Sequence, residues 1–295
     1  MIEARPDELE RPACALCGSA ESLPRHAFPP FGVVACAGCS LVFLSPRLVA
    51  RRMMELYQDA AYWDSDVAGR GYDEYLEVRG LWRRTFHRRL REIARHGAGR
   101  GAALDVGCGP GFAVEAAVEA GWDAHGIDPS EYAVSLARKT LGDRVSAGLV
   151  DENRHAPGSF ALVTAFDAFE HVYEPLRFLD AARALLEPGG LLAITTPNVE
   201  SLLARVSGRG WVSYKIPEHV YYWAPATIRR ALEPRFEVLE IRRAGQYATL
   251  GFLARRALGI GPRSPAFLRQ AAGALGGIRV YADNGSLTAI ARRRD

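Results

Sequence analysis

Apolar and polar positions divide the chain into two regimes. From residue 101 onward, short apolar runs of strand length alternate with stretches of helical spacing. Strands are expected at 102–106, 122–127, 144–147, 160–166 and 191–196, and helices at 112–120, 130–140 and 175–187. In the first helix Val114, Ala117 and Val118 recur at helical spacing and Gly121 stops it. Glu187-Pro188-Gly189-Gly190 ends the third. A further helix is expected at 225–233, a sixth strand at 236–243 and a seventh in the alternating stretch Ser286–Arg293. Such alternation predicts an α/β domain with a doubly wound, mostly parallel seven-stranded sheet. Ligands of such sheets bind at the carboxyl ends of the strands.

Ahead of this domain, 48–60 and 73–96 have helical spacing, with Leu76, Leu81, Phe86, Leu90 and Ile93 as the apolar positions of the second. These helices are expected to link an N-terminal module to the domain and to roof its pocket. Tyr57, Tyr62, Trp63, Tyr72 and Tyr75 cluster in and between them, either lining a pocket or packing the helices. Three parts follow: residues 1–45, 46–97 and 98–295. Within the last, 252–280 reads as an arginine-bearing, partly apolar insertion. It is either a solvated helical excursion or a surface for a lipid headgroup layer or a partner.

Composition adds limits. The 295 residues are 48% hydrophobic and 24% charged, ordinary for a soluble globular protein. The net charge of +3 does not by itself argue for nucleic acid. Lys139 and Lys215 are the only lysines, so the arginine excess reads as compositional bias rather than a binding surface. No apolar run approaches the roughly 20 residues that cross a bilayer. The start, Met-Ile-Glu-Ala-Arg-Pro-Asp-Glu, has no apolar signal core, and a cytoplasmic location is expected.

Residues 1–45 hold Cys14-x2-Cys17 and Cys36-x2-Cys39, two knuckles at the spacing of a structural four-cysteine zinc site. The segment has few large apolar residues and several prolines, so a core of its own is not expected. A structural zinc supplies on the order of 10 kcal/mol of coupled folding free energy. Two disulfides or a rubredoxin-like iron site are the alternatives. With four sulfur ligands no position stays open for chemistry. Leu41–Leu44 then reads as a strand closed by Ser45-Pro46-Arg47.

The chemistry centres on residues 101–112. Ala102–Val106 leads into Gly107, Gly109 and Gly111, and a helix begins at Phe112. Glycine lets a ligand approach the backbone, and the helix N-terminus offers free N–H groups. The dinucleotide fingerprint is excluded, because Phe112 stands where its last glycine would be. The next strand ends in Asp128-Pro129-Ser130. A carboxylate there can accept hydrogen bonds from both ribose hydroxyls of a nucleoside, or simply cap the helix that follows. Cys108, within the turn, reads as a small filler.

Other polar candidates follow later strands: Phe166-Asp167-Ala168-Phe169-Glu170-His171-Val172, and Thr196-Pro197-Asn198. Trp211, Tyr214 and Pro217-Glu218-His219-Val220-Tyr221-Tyr222-Trp223 form an aromatic loop that suits a pocket wall or lid. His171 and His219 each have an acid directly beside them, and either could serve as a general base or merely fill the core.

From about residue 100 to 240 the chain resembles the bacterial class I S-adenosylmethionine (SAM) methyltransferases. The marks are Leu-Asp-Val-Gly-Cys-Gly-Pro-Gly, Ile-Asp-Pro-Ser, Glu-His-Val, Leu-Glu-Pro-Gly-Gly, Thr-Pro-Asn and Pro-Glu-His-Val-Tyr-Tyr. The resemblance implies a Rossmann-like sheet of seven strands, the last antiparallel. It implies that Asp105, Gly107 and Gly109, on the turn that Gly111 completes, hold the methionine part of SAM. Asp128 would hold the ribose, and Phe166 and Asp167 would edge the cleft. Many members place an acid facing adenine just after the third strand, and the tract Ala147-Gly148-Leu149-Val150-Asp151 matches that mark poorly, so the resemblance assigns no adenine contact. The zinc knuckles are similar to the N-terminal module of sugar C-methyltransferases, in which a Glu-His pair like Glu218-His219 sits at the reacting carbon. Their further C-terminal domain has no counterpart here, so O-methylation of a small molecule stays open.

The SAM sulfonium needs no activation, so the chain must place a nucleophile and remove a proton. His219 is the expected base, Glu218 its support and His171 the reserve. The expected acceptor is a small molecule of sugar, envelope or secondary metabolism. The rival readings are an rRNA or tRNA methyltransferase and a non-catalytic SAM-fold regulator. The small net charge and aromatic loop argue against the first, and the intact glycines and Asp128 against the second.

Overall fold

The computed structural model of the chain describes residues 4–58, 79–97, 99–151, 155–258 and 264–294. Its strands are β1 (Leu9–Glu10), β2 (Ser22–Phe28), β3 (Phe31–Cys36), β4 (Val42–Leu44), β5 (Arg47–Leu48), β6 (Ala102–Val106), β7 (Asp123–Asp128), β8 (Val145–Ala147), β9 (Phe160–Phe166), β10 (Leu186–Pro197), β11 (Tyr221–Tyr222), β12 (Phe236–Thr249) and β13 (Arg279–Arg293). Its helices are α1 (Ala50–Gln58), α2 (Arg79–Ala94), α3 (Phe112–Glu119), α4 (Glu131–Leu141), α5 (Pro175–Leu185), α6 (Leu202–Ser207), α7 (Pro225–Leu232), α8 (Leu250–Leu258) and α9 (Ala266–Ala274). Leu76, Tyr62, Trp63, Tyr72 and Tyr75 lie outside the described residues.

The large sheet has the order β12-β13-β10-β9-β6-β7-β8. β13 runs antiparallel to both its neighbours, and β10, β9, β6, β7 and β8 pair in parallel. This is the seven-stranded Rossmann-like methyltransferase sheet that the alternation and the resemblance imply. Apolar positions cover both its faces. One face packs Phe86, Leu90, Phe112, Val114, Val134 and Ala137 from α2, α3 and α4. The other packs Phe178, Leu179, Ile228 and Leu232 from α5 and α7. Burying each of these valine, leucine, isoleucine and phenylalanine side chains fully contributes about 1.5–3 kcal/mol. Cys108 is buried in the first layer, its Sγ 2.8 Å from where a side chain on Gly126 would begin, which suits the role of filler.

Two features depart from the sequence reading. The last two strands extend well past 243 and start well before 286, forming a long hairpin whose ladder reaches Thr249 and Arg279. A bulge at Ala244/Gly245 carries the pairing past the point where alternation is lost. α8 and α9 sit at its tip, within the insertion expected at 252–280.

The second departure concerns the surroundings of the N-terminal segment: it has no core of its own, as expected, but its apolar side chains are covered by a later part of the chain. Val34, Leu41 and Phe43 join one apolar cluster with Phe169, Val220, Tyr221 and Trp223 of the later chain. Its sheet, β11-β4-β3-β2, is completed by Tyr221 and Tyr222, which lie in the loop expected to be irregular. The segment therefore packs against the α/β part instead of building a separate interior. No helix among the described residues is long and apolar enough to cross a membrane.

Candidate active site

The carboxyl ends of β6, β7, β9 and β10 meet along one edge of the sheet, and the polar candidates gather there. β6 leads into Gly107, whose N–H and that of Cys108 both donate to the Ile127 carbonyl, at 2.8 and 3.1 Å. Gly107, Gly109 and Gly111 have φ of +76°, +50° and +84°, which L side chains rarely adopt. A side chain on Gly111 would also start 2.4 Å from Leu141 Cδ1, so this glycine lets α3 lie against α4.

Asp128 ends β7 and locks the turn. Its Oδ2 accepts from the Gly109 N–H at 2.8 Å and its Oδ1 from the Ser130 N–H at 2.9 Å. Ser130, and not Asp128, caps α4, through its side-chain oxygen and the Ala133 N–H. Burial pushes the Asp128 carboxyl up to about 6. Asp105, on β6, accepts from Thr164 Oγ1 at 2.6 Å. Burial, and then the neighbouring Asp128 charge, raise its carboxyl to about 7.

Asp167 follows β9 with φ of 55°, rare for a residue with a side chain. Its Oδ2 accepts from Arg89 Nη1 at 2.8 Å. Arg89 comes from α2, is 2% exposed, and lies over the rings of Phe86 and Phe166. Its Nε and Nη2 are buried with no hydrogen-bond partner among the described residues. A guanidinium with two unused donors, beside a glycine turn, suits the carboxylate of an amino-acid ligand.

His219 is buried, and its ring stands perpendicular to that of His171 with centroids 4.6 Å apart. The carboxylate that approaches His219 is Glu170, with Oε1 4.0 Å from Nε2. Glu218 contributes its backbone carbonyl instead, 3.1 Å from His171 Nδ1. A carbonyl only accepts, so this contact is a hydrogen bond in the His171 tautomer that carries its proton on Nδ1 and its lone pair on Nε2. The Tyr57 hydroxyl is 2.9 Å from the same Nδ1, so α1 reaches this site. Burial drives His219 well below the ordinary imidazole range and His171 down to about 4, and raises Glu170 to about 8. Thr196 Oγ1 donates to Glu170 Oε2 at 2.8 Å. Ligand atoms of Glu170, His171 and His219 lie within 4.8 Å of one another, so the three could also hold a cation.

The four N-terminal cysteines converge as a second cluster. Cys14 and Cys39 Sγ are 3.3 Å apart, and Cys17 and Cys36 Sγ 3.4 Å. These are not disulfide distances, about 2.05 Å, but are near the spacing of sulfurs around one tetrahedral ion. Each knuckle is closed by its backbone: Gly18 N–H donates to the Cys14 carbonyl and Ser40 N–H to that of Cys36.

Comparison with known proteins decides the family. A family model described as a methyltransferase domain matches residues 72–239, more than half of the chain. The chain belongs to the methyltransferase-domain family. As a member, this methyltransferase takes its methyl group from SAM. It is similar to the ubiquinone biosynthesis O-methyltransferase of Thiobacillus denitrificans, 35% identical over 151 residues, which are 47% of the chain and 65% of that relative's length. It is also similar to the enzyme of that name from Paraburkholderia xenovorans, 32% identical over 175 residues, 54% of the chain and 72% of the relative. Among solved structures, a SAM-dependent methyltransferase from Archaeoglobus fulgidus shares the fold, with a TM-score of 0.52 and 18% identity over 75% of this chain and 99% of that one. So does a chain of the complex between the Haloferax volcanii Trm112 methyltransferase activator and the putative methyltransferase, with a TM-score of 0.54 and 21% identity over 76% and 96%.

SAM fits the residues present: a glycine turn at positive φ, a buried carboxylate after β7, and the unpaired donors of Arg89. All the sequence candidates for its binding lie along this edge. Two neighbours carry little signal in the sequence. Glu170 sits inside the Glu-His-Val mark, whose histidine is the more evident base. Arg89 carries no signal among so many arginines.

Proposed function

We propose that the methyltransferase methylates an oxygen or carbon nucleophile of a small molecule, with His219 as the base. The observation that carries this reading is the buried imidazole of His219 with Glu170 Oε1 4.0 Å away, at the same sheet edge as the cofactor residues. The names of the relatives favour oxygen over carbon, and an acceptor from sugar, envelope or secondary metabolism accords with both.

In this reading the methionine part lies against the backbone of the turn at Gly107 and Gly109, near Asp105. Arg89 faces the carboxylate, Asp128 the ribose, and Phe166 and Asp167 border the cleft. SAM, when bound, supplies an electrophilic methyl group. The protein's share is to position the acceptor and accept its proton. Burial holds His219 neutral, so its lone pair is available at neutral pH. A proton taken at Nε2 arrives beside Glu170, whose ionised form would offset it. His171, fixed by Tyr57 and the Glu218 carbonyl, orients the imidazole of His219 by edge-to-face contact and is the reserve base.

The second part of the proposal is a structural zinc on Cys14, Cys17, Cys36 and Cys39. Four thiolates suit zinc and leave no coordination site open. Reduced thiols accord with a cytoplasmic location. The test begins with metabolite screening for the acceptor, using SAM consumption as readout. His219→Ala should then lower kcat about 10²-fold or more, with SAM affinity nearly intact. If His171→Ala loses activity and His219→Ala does not, the roles are exchanged. If neither loses it, the base assignment fails.

A further inference from the structure

The tip of the β12–β13 hairpin has no place in the cofactor or acceptor chemistry. α8 and α9 meet there backbone to backbone. A side chain on Gly251 would start 2.2 Å from the Ala272 carbonyl oxygen, and the Gly251 N–H donates to the Leu275 carbonyl. A contact made of glycine and alanine leaves the large apolar side chains unused. Leu258 is 71% exposed, Phe267 67%, Ile278 48% and Phe252 41%. Arg255, Arg269 and Arg279 are exposed among them.

The charge pattern of this stretch stands apart from the rest of the chain. Residues 250–280 contain five arginines and no aspartate, glutamate or lysine, so they exceed the +3 of the whole molecule. Neutral hydrogen-bonding side chains are scarce, so there is little with which to read a base or a peptide. Large apolar tips interleaved with unopposed arginines suit an interface that is anionic at its surface and apolar just beneath.

The direction of the hairpin adds to this. β10 ends its pairing with β13 at Pro197–Ser286, while β12 and β13 continue to Thr249–Arg279. The tip therefore projects beyond the carboxyl end of β10, past the same edge that carries Asp128, Asp167 and Glu170.

We infer that the α8–α9 tip docks on an anionic phospholipid bilayer, with Phe252, Leu258, Phe267 and Ile278 entering the headgroup layer and Arg255, Arg269 and Arg279 meeting lipid phosphates. The binding is peripheral, and it presents the site edge of the sheet to the membrane. It does not depend on which molecule is methylated.

Vesicle flotation of the full chain tests this. Vesicles of phosphatidylcholine containing phosphatidylglycerol should carry the protein, pure phosphatidylcholine should not, and added salt should release it. Arg255→Glu with Arg269→Glu should weaken the vesicle affinity about tenfold or more. Leu258→Ser with Phe267→Ser should do likewise, while both variants keep wild-type SAM affinity as proof of folding. Failure to float with anionic vesicles overturns the proposal, as does flotation unchanged in both variants. Sedimentation without lipid covers a second copy: a dimer dissolved by Phe267→Ser, with no vesicle binding, would make the patch a self-association face. Binding to a labelled RNA that the arginine variant loses and the apolar variant keeps, again without vesicle binding, would assign it to nucleic acid.

Discussion

Replacing Asp128 by alanine should separate two roles that one carboxylate combines. The side chain is 7% exposed, and its oxygens accept the N–H groups of Gly109 and Ser130. Alanine leaves both donors without that partner in a buried place, at about 1–3 kcal/mol each where water does not enter. A loss of about 2–6 kcal/mol and a melting temperature lower by several degrees are expected. For SAM, two hydrogen bonds from ribose hydroxyls to a charged acceptor are lost, each worth roughly 1.5–3 kcal/mol. Affinity measured by calorimetry should fall at least about tenfold. Asp128→Asn keeps acceptor oxygen but no charge and should lie between. The pH dependence gives an independent handle. With the carboxyl at about 6, affinity should be flat above neutrality and fall below pH 6 as the group takes up a proton. Stability moves the other way. The raised pKa means that the folded protein holds this proton more tightly than the unfolded chain. Between the ordinary value of 3.8 and about 6, the stability of the cofactor-free protein should therefore fall as pH rises; Asp128→Asn should make that slope shallower, leaving the part of the same sign that the raised Asp105 and Glu170 carboxyls add. A folded Asp128→Ala protein with wild-type SAM affinity would refute the reasoning.

Three further outcomes are expected. Arg89→Ala should weaken SAM binding and also lower the melting temperature, because the half-buried Asp167 loses its partner; undiminished SAM affinity would exclude Arg89 from the carboxylate site. Glu170→Gln should lower kcat with little change in SAM affinity, whereas Glu218→Gln, whose contribution to His171 is a backbone carbonyl, should change kcat less; the reverse order would restore Glu218 as the supporting acid. Elemental analysis should find one zinc per chain, and chelation should lower acceptor turnover before SAM binding, since Val220 is tied to the N-terminal sheet; protein without zinc or iron would remove the metal assignment.

The α/β part could be read from sequence because its signals are local. The apolar runs at 102–106 and 160–166 coincide with β6 and β9, and the glycines and Asp128 fall at strand ends, where the chain itself dictates the turn. Contacts made across long separations could not be read. Glu218 is adjacent to His219 in sequence, yet Glu170 approaches it in space. The two loops are joined by the Val220 N–H donating to the Glu170 carbonyl, which no spacing announces. Arg89 is set by how α2 lies on the sheet, a matter of tertiary packing. The N-terminal segment looked coreless because the side chains that cover Leu41 and Phe43 are supplied near residue 221.

That last pairing has a consequence for how the protein is made. β4 leaves the ribosome early, but β11, which closes its edge, comes some 180 residues later. At ordinary rates of synthesis the wait is on the order of 10 s. During it the unpaired edge of β4, with Phe43 uncovered, is open to pairing with another chain. The four cysteines, by contrast, all lie between residues 14 and 39 and are complete from the start. An ion captured by them would hold β2, β3 and β4 in shape until their last strand arrives. Metal scarcity in the growing cell should then show first as loss of newly made chains to aggregation, with protein already folded left intact.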